Sequence, residues 1–125
     1  MMVHRCRAVL LGLILFGSTV PLAGHHSVTA YYDTSRQLTL QGPIVSVEWT
    51  NPHAFVNIDV RDEHGGTTKW AIETDSPNVL SRAGWTRSTL HFGDQVTATG
   101  YPSKKGTAAL RLVTLSLADG RKLKG

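Results

Sequence analysis

Three histidines carry the sharpest chemistry in this chain: His25 and His26 side by side after an apolar leader, and His53 just beyond an Asn51-Pro52 turn. If the leader is cut after Gly24, His25 offers its α-amine and ring nitrogen to one ion. Cu(II) favours that chelate, because it prefers nitrogen ligands in a tetragonal arrangement. A cut after Ala23 instead leaves Gly24-His25-His26 at the start, another chelate type for Cu(II), formed through the amine, intervening amides and an imidazole. An α-amine titrates near about 8, so copper displaces its proton cheaply at neutral pH. Strand parity places His53 on an outward face, and a tight turn at residues 49–52 would set Glu48 opposite it, to orient the ring as carboxylates orient metal-bound histidines. The competing readings are a solvated start selected for processing, and for His53 a ring that supports its turn through Asn51, Thr50 or backbone.

A metal-free alternative rests on Glu48, Phe55, Asn57 and Asp59, which share the outward side with Lys69, Ala71 and Glu73 of the following strand. One aromatic among polar neighbours suits a sugar, a peptide or another small ligand. Evidence for an enzyme is lacking. Ser27, Ser46, Ser76 and Ser103 have no nucleophile-elbow setting, and Ser76 reads as a helix cap. Asp59, Glu73 and Asp75 read as solvated carboxylates on strand exteriors, and Gly65-Gly66 lies in a hairpin turn rather than before a helix. His64 and His91 fall in a turn tip and a connection. Without a cysteine pair or histidines at helical i, i+4 spacing, no conventional zinc site assembles.

The elements that must position these residues follow from alternation. Residues 1–24 read as a secretory signal peptide: Arg5 and Arg7 are the basic start, Ala8 to Phe16 the apolar run, and Gly17 to Gly24 the small-residue approach to cleavage. The run is shorter than the roughly 20 apolar residues that span a bilayer. Residues 25–36 form an N-terminal arm, and 37–125 a single domain. From Gln37 the chain alternates as strands, with a break at Gly42-Pro43 that predicts a β-bulge and a long, curved first strand. A second strand puts Ala54, Val56, Ile58 and Val60 inward, and a third covers Thr68 to Thr74. Ser76-Pro77 caps a short helix that Gly84 ends, and strands at Asp94 to Tyr101 and Ala108 to Leu117 follow, with a short last strand after Asp119-Gly120. Three strands, a helix and two strands is the order of an OB-type barrel, so an all-β fold with one short helix, a five- to six-stranded OB-like β-barrel, is predicted. A small open β-sandwich is the rival, because strand pattern alone does not show closure.

Charge bears on partners. Losing Arg5 and Arg7 leaves 11 of the 13 lysines and arginines against 9 acids. The residual excess collects at Lys104, Lys105, Arg121, Lys122 and Lys124 rather than in a stripe along one face, which argues against nucleic acid as a partner. The expected setting is periplasmic or secreted, with no membrane span once the signal is removed. The expected partner is a small ligand or an envelope protein. Cys6 leaves with the signal, so the mature chain holds no thiol.

Several runs are also familiar together: His25-His26-Ser27, Tyr32-Asp33, Glu48-Trp49-Thr50-Asn51-Pro52-His53, Ser76-Pro77-Asn78, Gly84-Trp85, Gly93-Asp94, Thr99-Gly100-Tyr101 and Asp119-Gly120-Arg121. Across nearly the whole mature chain they resemble a family of small exported bacterial proteins catalogued as domain of unknown function 6152. The Glu48 to His53 run is the most specific part. The resemblance implies export and a compact β-rich fold, and it implies no activity. Members of that family carry alanine directly before the histidine pair, where this chain has Gly24, so the first mature residue stays open between the two cuts.

Overall fold

The computed structural model describes residues 27–125, so the signal segment, His25 and His26 lie outside the described residues. Alternation translates into a meander of β1 (Leu38–Glu48), β2 (Phe55–Arg61) and β3 (Thr67–Glu73), followed by a helix at Pro77–Arg82 and by β4 (Gln95–Pro102), β5 (Ala109–Leu117) and β6 (Lys122–Lys124). Hydrogen bonding orders the strands β3-β2-β1-β4-β5-β6, and a parallel pairing of Ala71–Glu73 with Ala109–Arg111 joins β3 to β5. That pairing closes a five-stranded barrel of OB type, with β6 added on β5, and excludes the open sandwich.

β1 serves two partners. Residues Leu38 to Pro43 pair with β4, and Ile44 to Glu48 pair with β2. The bulge is not at Gly42-Pro43: the register shifts between Ile44 and Ser46, leaving Val45 as the extra residue. Leu40 and Ile44 therefore point inward before it, and Val47 and Trp49 pack against the core after it. Gly42 has a different reason to be glycine, since a Cβ there would stand 1.9 Å from the Asp59 carbonyl oxygen. Ile44, Ile58, Ile72, Leu110 and Leu115 form the fully buried centre, each worth about 1.5–3 kcal/mol over exposure.

The helix between β3 and β4 plugs one end of the barrel with Leu80, 1% exposed, and with buried Pro77. Its start is capped by the Ser76 hydroxyl, which accepts from the Val79 N–H. At its end Gly84, at φ +93°, lets the Gly84 and Trp85 amides reach back to the Ser81 and Leu80 carbonyls, a Schellman closure. A further helical turn not anticipated from the sequence, Val28–Tyr31, lies in the N-terminal arm; it is α1, and the helix at Pro77–Arg82 is α2. Among the described residues no helix is long and apolar enough to cross a membrane.

Candidate functional site

His53 precedes β2, where pairing with β3 continues past the strand ends. Thr74 donates its amide and its buried hydroxyl to the Ala54 carbonyl, and the Ala54 amide donates to Asp75. Since Phe55 pairs with Glu73, this extension brings His53 alongside Glu73 and Asp75 on the outward side of the sheet. His53 Nδ1 lies 2.6 Å from Glu73 Oε1. The closing pair β3–β5 sets Arg111 beside Glu73, and the Arg111 guanidinium engages Asp75 through Nη2.

The fourth contributor comes from the arm. Backbone bonds from Asp33 to Pro102 and from Lys104 to Tyr31, with a bridge between Tyr32 and Ser103, pin α1 against the β4–β5 turn. The Lys104 ammonium also donates to the Thr29 carbonyl. Pinned in this way, buried Tyr32 donates its hydroxyl to Glu73 Oε2 at 2.5 Å. Burial, and then the Glu73 carboxylate, push the Tyr32 hydroxyl far above the ordinary tyrosine range, against a smaller opposing effect of Arg111. Glu73 thus lies between Tyr32 and His53, one carboxylate oxygen toward each.

These groups floor a cleft of about 740 Å³ at one end of the sheet. Val28, Tyr31, Pro52, Val79 and Ala109 supply apolar walls, and Ser76, Ser103, Lys105 and Thr107 polar ones. Chemically, the arrangement can hold a histidine ring in one orientation and present a guanidinium to a small molecule. Among the described residues no group of three or more His, Cys, Asp or Glu side chains could hold a metal ion. A metal at this place would need ligands from outside them.

Of the residues singled out by sequence, His53 lines the cleft, while Glu48, Phe55, Asn57 and Asp59 do not. Glu48 does not face His53: the register pairs it with Phe55, and its carboxylate accepts instead from the Asn57 amide. Asn57, 8% exposed, also donates to Ser46, so its side chain is engaged within the sheet. The His53 ring turns to Glu73 rather than to Thr50 or Asn51, although the Thr50 hydroxyl does donate to the His53 backbone oxygen. Glu73 and Asp75 are not simply solvated, because each has a partner in the cleft. Sequence reasoning missed Tyr32 and Arg111 as parts of the site. Tyr32 stands in sequence only within the Tyr32-Asp33 run of the resemblance, and Arg111 is one residue of the β5 alternation with no local mark of its role.

Comparison with known proteins bears on lineage and fold. Residues 14–111 match the profile of the Family of unknown function (DUF6152). No curated protein matches the chain significantly in sequence. Among solved structures, the mitochondrial single-stranded DNA binding protein Rim1 of S. cerevisiae is similar with a TM-score of 0.52 at 13% identity, over 72% of this chain and 96% of that one. The likeness is one of fold.

Proposed function

We propose, from the premise that the chain belongs to the DUF6152 family, that the mature protein is an exported, non-enzymatic β-barrel binding Cu(II) through His25, His26 and His53. The observation that carries this reading is the His53–Glu73 contact. A proton on Nδ1 facing the carboxylate selects the tautomer whose Nε2 lone pair is open to a metal, as in carboxylate-oriented metal ligands. The arm supports it from the other side. Val28 and His53 line the same cleft, and His25 and His26 immediately precede Ser27. An extended chain reaches about 3.3–3.6 Å per residue, so two residues carry a ligand roughly 7 Å from Ser27.

The non-enzymatic part draws on the same cleft. The Tyr32 hydroxyl is held protonated against Glu73 rather than poised as a base, and the Ser76 hydroxyl is occupied in capping α2. Nucleic acid is disfavoured by the outward face of β1 and β2, where Glu48 of β1 sits across from Phe55 and Asp59 lies further along β2 on the same face; single-strand binders use basic grooves with several stacking aromatics. Periplasmic or secreted localisation rests on the signal segment.

The test is a Cu(II) titration with electron paramagnetic resonance on untagged protein exported and processed by a bacterial host, its first residue assigned by mass spectrometry. One copper with a nitrogen-rich tetragonal spectrum is expected, and His53→Ala should weaken binding by about a hundredfold. Unchanged affinity in that variant would reduce the site to a chelate of the N-terminal peptide. A second reading, a metal-free ligand-binding module of the envelope, is favoured by the size of the cleft, about 740 Å³, which falls among small-molecule pockets of about 300–1,000 Å³.

A further inference from the structure

We infer that this cleft binds a small carboxylate with an apolar body, its charged end seated on Arg111; the inference rests on the cleft being the functional site, and not on copper. The reasoning begins with which hydrogen-bonding groups are already engaged. Both oxygens of Glu73 have partners, Tyr32 at 2.5 Å and His53 at 2.6 Å. Asp75 is paired with Arg111 Nη2. A cationic ligand would have to displace one of these donors before reaching a carboxylate.

The donor side is different. Arg111 has a side chain only 11% exposed, and its Nη1 is buried with no hydrogen-bond partner among the described residues. A buried guanidinium N–H without an acceptor is costly, and such groups in folded proteins are normally met by a ligand, an ion or water. A carboxylate meets that need best, because a hydrogen bond from a charged donor to a charged acceptor is about twice as strong as a neutral one. Nη1 is shielded by its surroundings, so binding turns the guanidinium slightly outward, keeping Asp75 on one nitrogen and offering the other to the ligand. Lys105, exposed on the same wall, adds positive charge at the entrance.

The walls define the rest of the ligand. Val28, Tyr31 and Val79 are 38%, 47% and 43% exposed, and with Phe92 they are the exposed large hydrophobics of the described residues. Three of these four line one cleft. Apolar side chains gathered around a polar floor mark a binding surface rather than chance exposure. A ligand with an acid at one end and an aromatic or short aliphatic body would cover them.

The experiment titrates metal-free mature protein, followed by amide chemical shifts, with phenylacetate and octanoate, and with 2-phenylethanol and phenethylamine as neutral and cationic counterparts. Saturable binding of at least one carboxylate is expected, with shifts centred on Ser76, Thr107 and Arg111. Preference over the alcohol and the amine should reach about tenfold or more, the worth of one hydrogen bond to a charged group. Arg111→Met removes the donor and its charge and should erase the preference. Because Arg111 also helps to hold Asp75, two surface variants stand beside it: Lys105→Glu should weaken carboxylate binding, and Val79→Trp should block it. No saturable carboxylate binding, equal binding of alcohol or amine, or shifts away from the cleft would overturn the inference. A copper titration of the same preparation separates the two ideas. Copper bound with carboxylates refused removes this inference alone, and carboxylates bound with copper refused removes the metal reading alone.

Discussion

Tyr32 illustrates how a residue can take part in a site while the chain around it gives no sign of the chemistry. Its hydroxyl meets Glu73 across 41 positions of chain, and only the pinning of α1 to the β4–β5 turn brings the two together. The consequence is a tyrosine that resists ionisation. Its folded pKa is raised above the unfolded value of about 10, so its contribution to stability is fully present below that pH and is lost as pH rises through the folded value. Alkaline titration of phenolate absorbance should show one of the three tyrosines ionising only as the fold opens. Tyr32→Phe should remove that late fraction and lower stability in urea by about 1–3 kcal/mol. A resistant tyrosine that survives the substitution would assign the effect elsewhere. His53, by contrast, is singled out by type alone, but its nearest carboxylate in sequence is not its partner. Glu48 lies five residues away and is drawn to Asn57; Glu73, twenty residues away, is delivered by strand register.

At the scale of elements, β1 shows what alternation reveals and where it misplaces detail. The change of inward phase is real, but it occurs at Val45, two residues beyond the Pro43 of the Gly42-Pro43 break. The reason is the exchange of partners. Ile44 donates to Asp94 and accepts from Gly93 before β2 takes over the ladder, and the extra residue is absorbed on the β2 side. Glycine at 42 answers to close approach instead, and Gly42→Ala is expected to destabilise the protein by about 2 kcal/mol or more, because the obstacle is a backbone oxygen that cannot rotate away. Equilibrium urea unfolding measures this, and a variant as stable as the parent would mean that β1 and β2 can separate there freely. α2 was legible at both ends, since its Ser76 cap, Pro77 start and Gly84 stop are local devices needing no distant partner. α1 was not legible: its one turn lacks a side-chain cap and a buried residue of its own, and contacts with Pro102 and Lys104 hold it in place.

For the molecule as a whole, closure is the decisive event, and β6 reinforces it. Lys122–Lys124 pairs with β5, Leu123 packs on the core, and the Trp85 indole N–H donates to the Lys124 carbonyl, tying the segment after α2 to the last strand. Removing residues 121–125 should therefore lower Tm by about 5 °C or more and expose an edge of β5. Thermal melts and size-exclusion profiles check this, and an unchanged, monodisperse protein would make β6 dispensable. Strand number and order, the inward faces of β2 and the position of α2 follow from the sequence by itself, because periodicity and capping act over a few residues. Family membership was equally legible in short runs of residues. Barrel closure, the place of the bulge and the cleft that unites α1, β2, β3 and β5 were decided only in three dimensions. Each depends on which distant backbones share hydrogen bonds, and in what register, and a register is a relation between strands that neither strand carries alone.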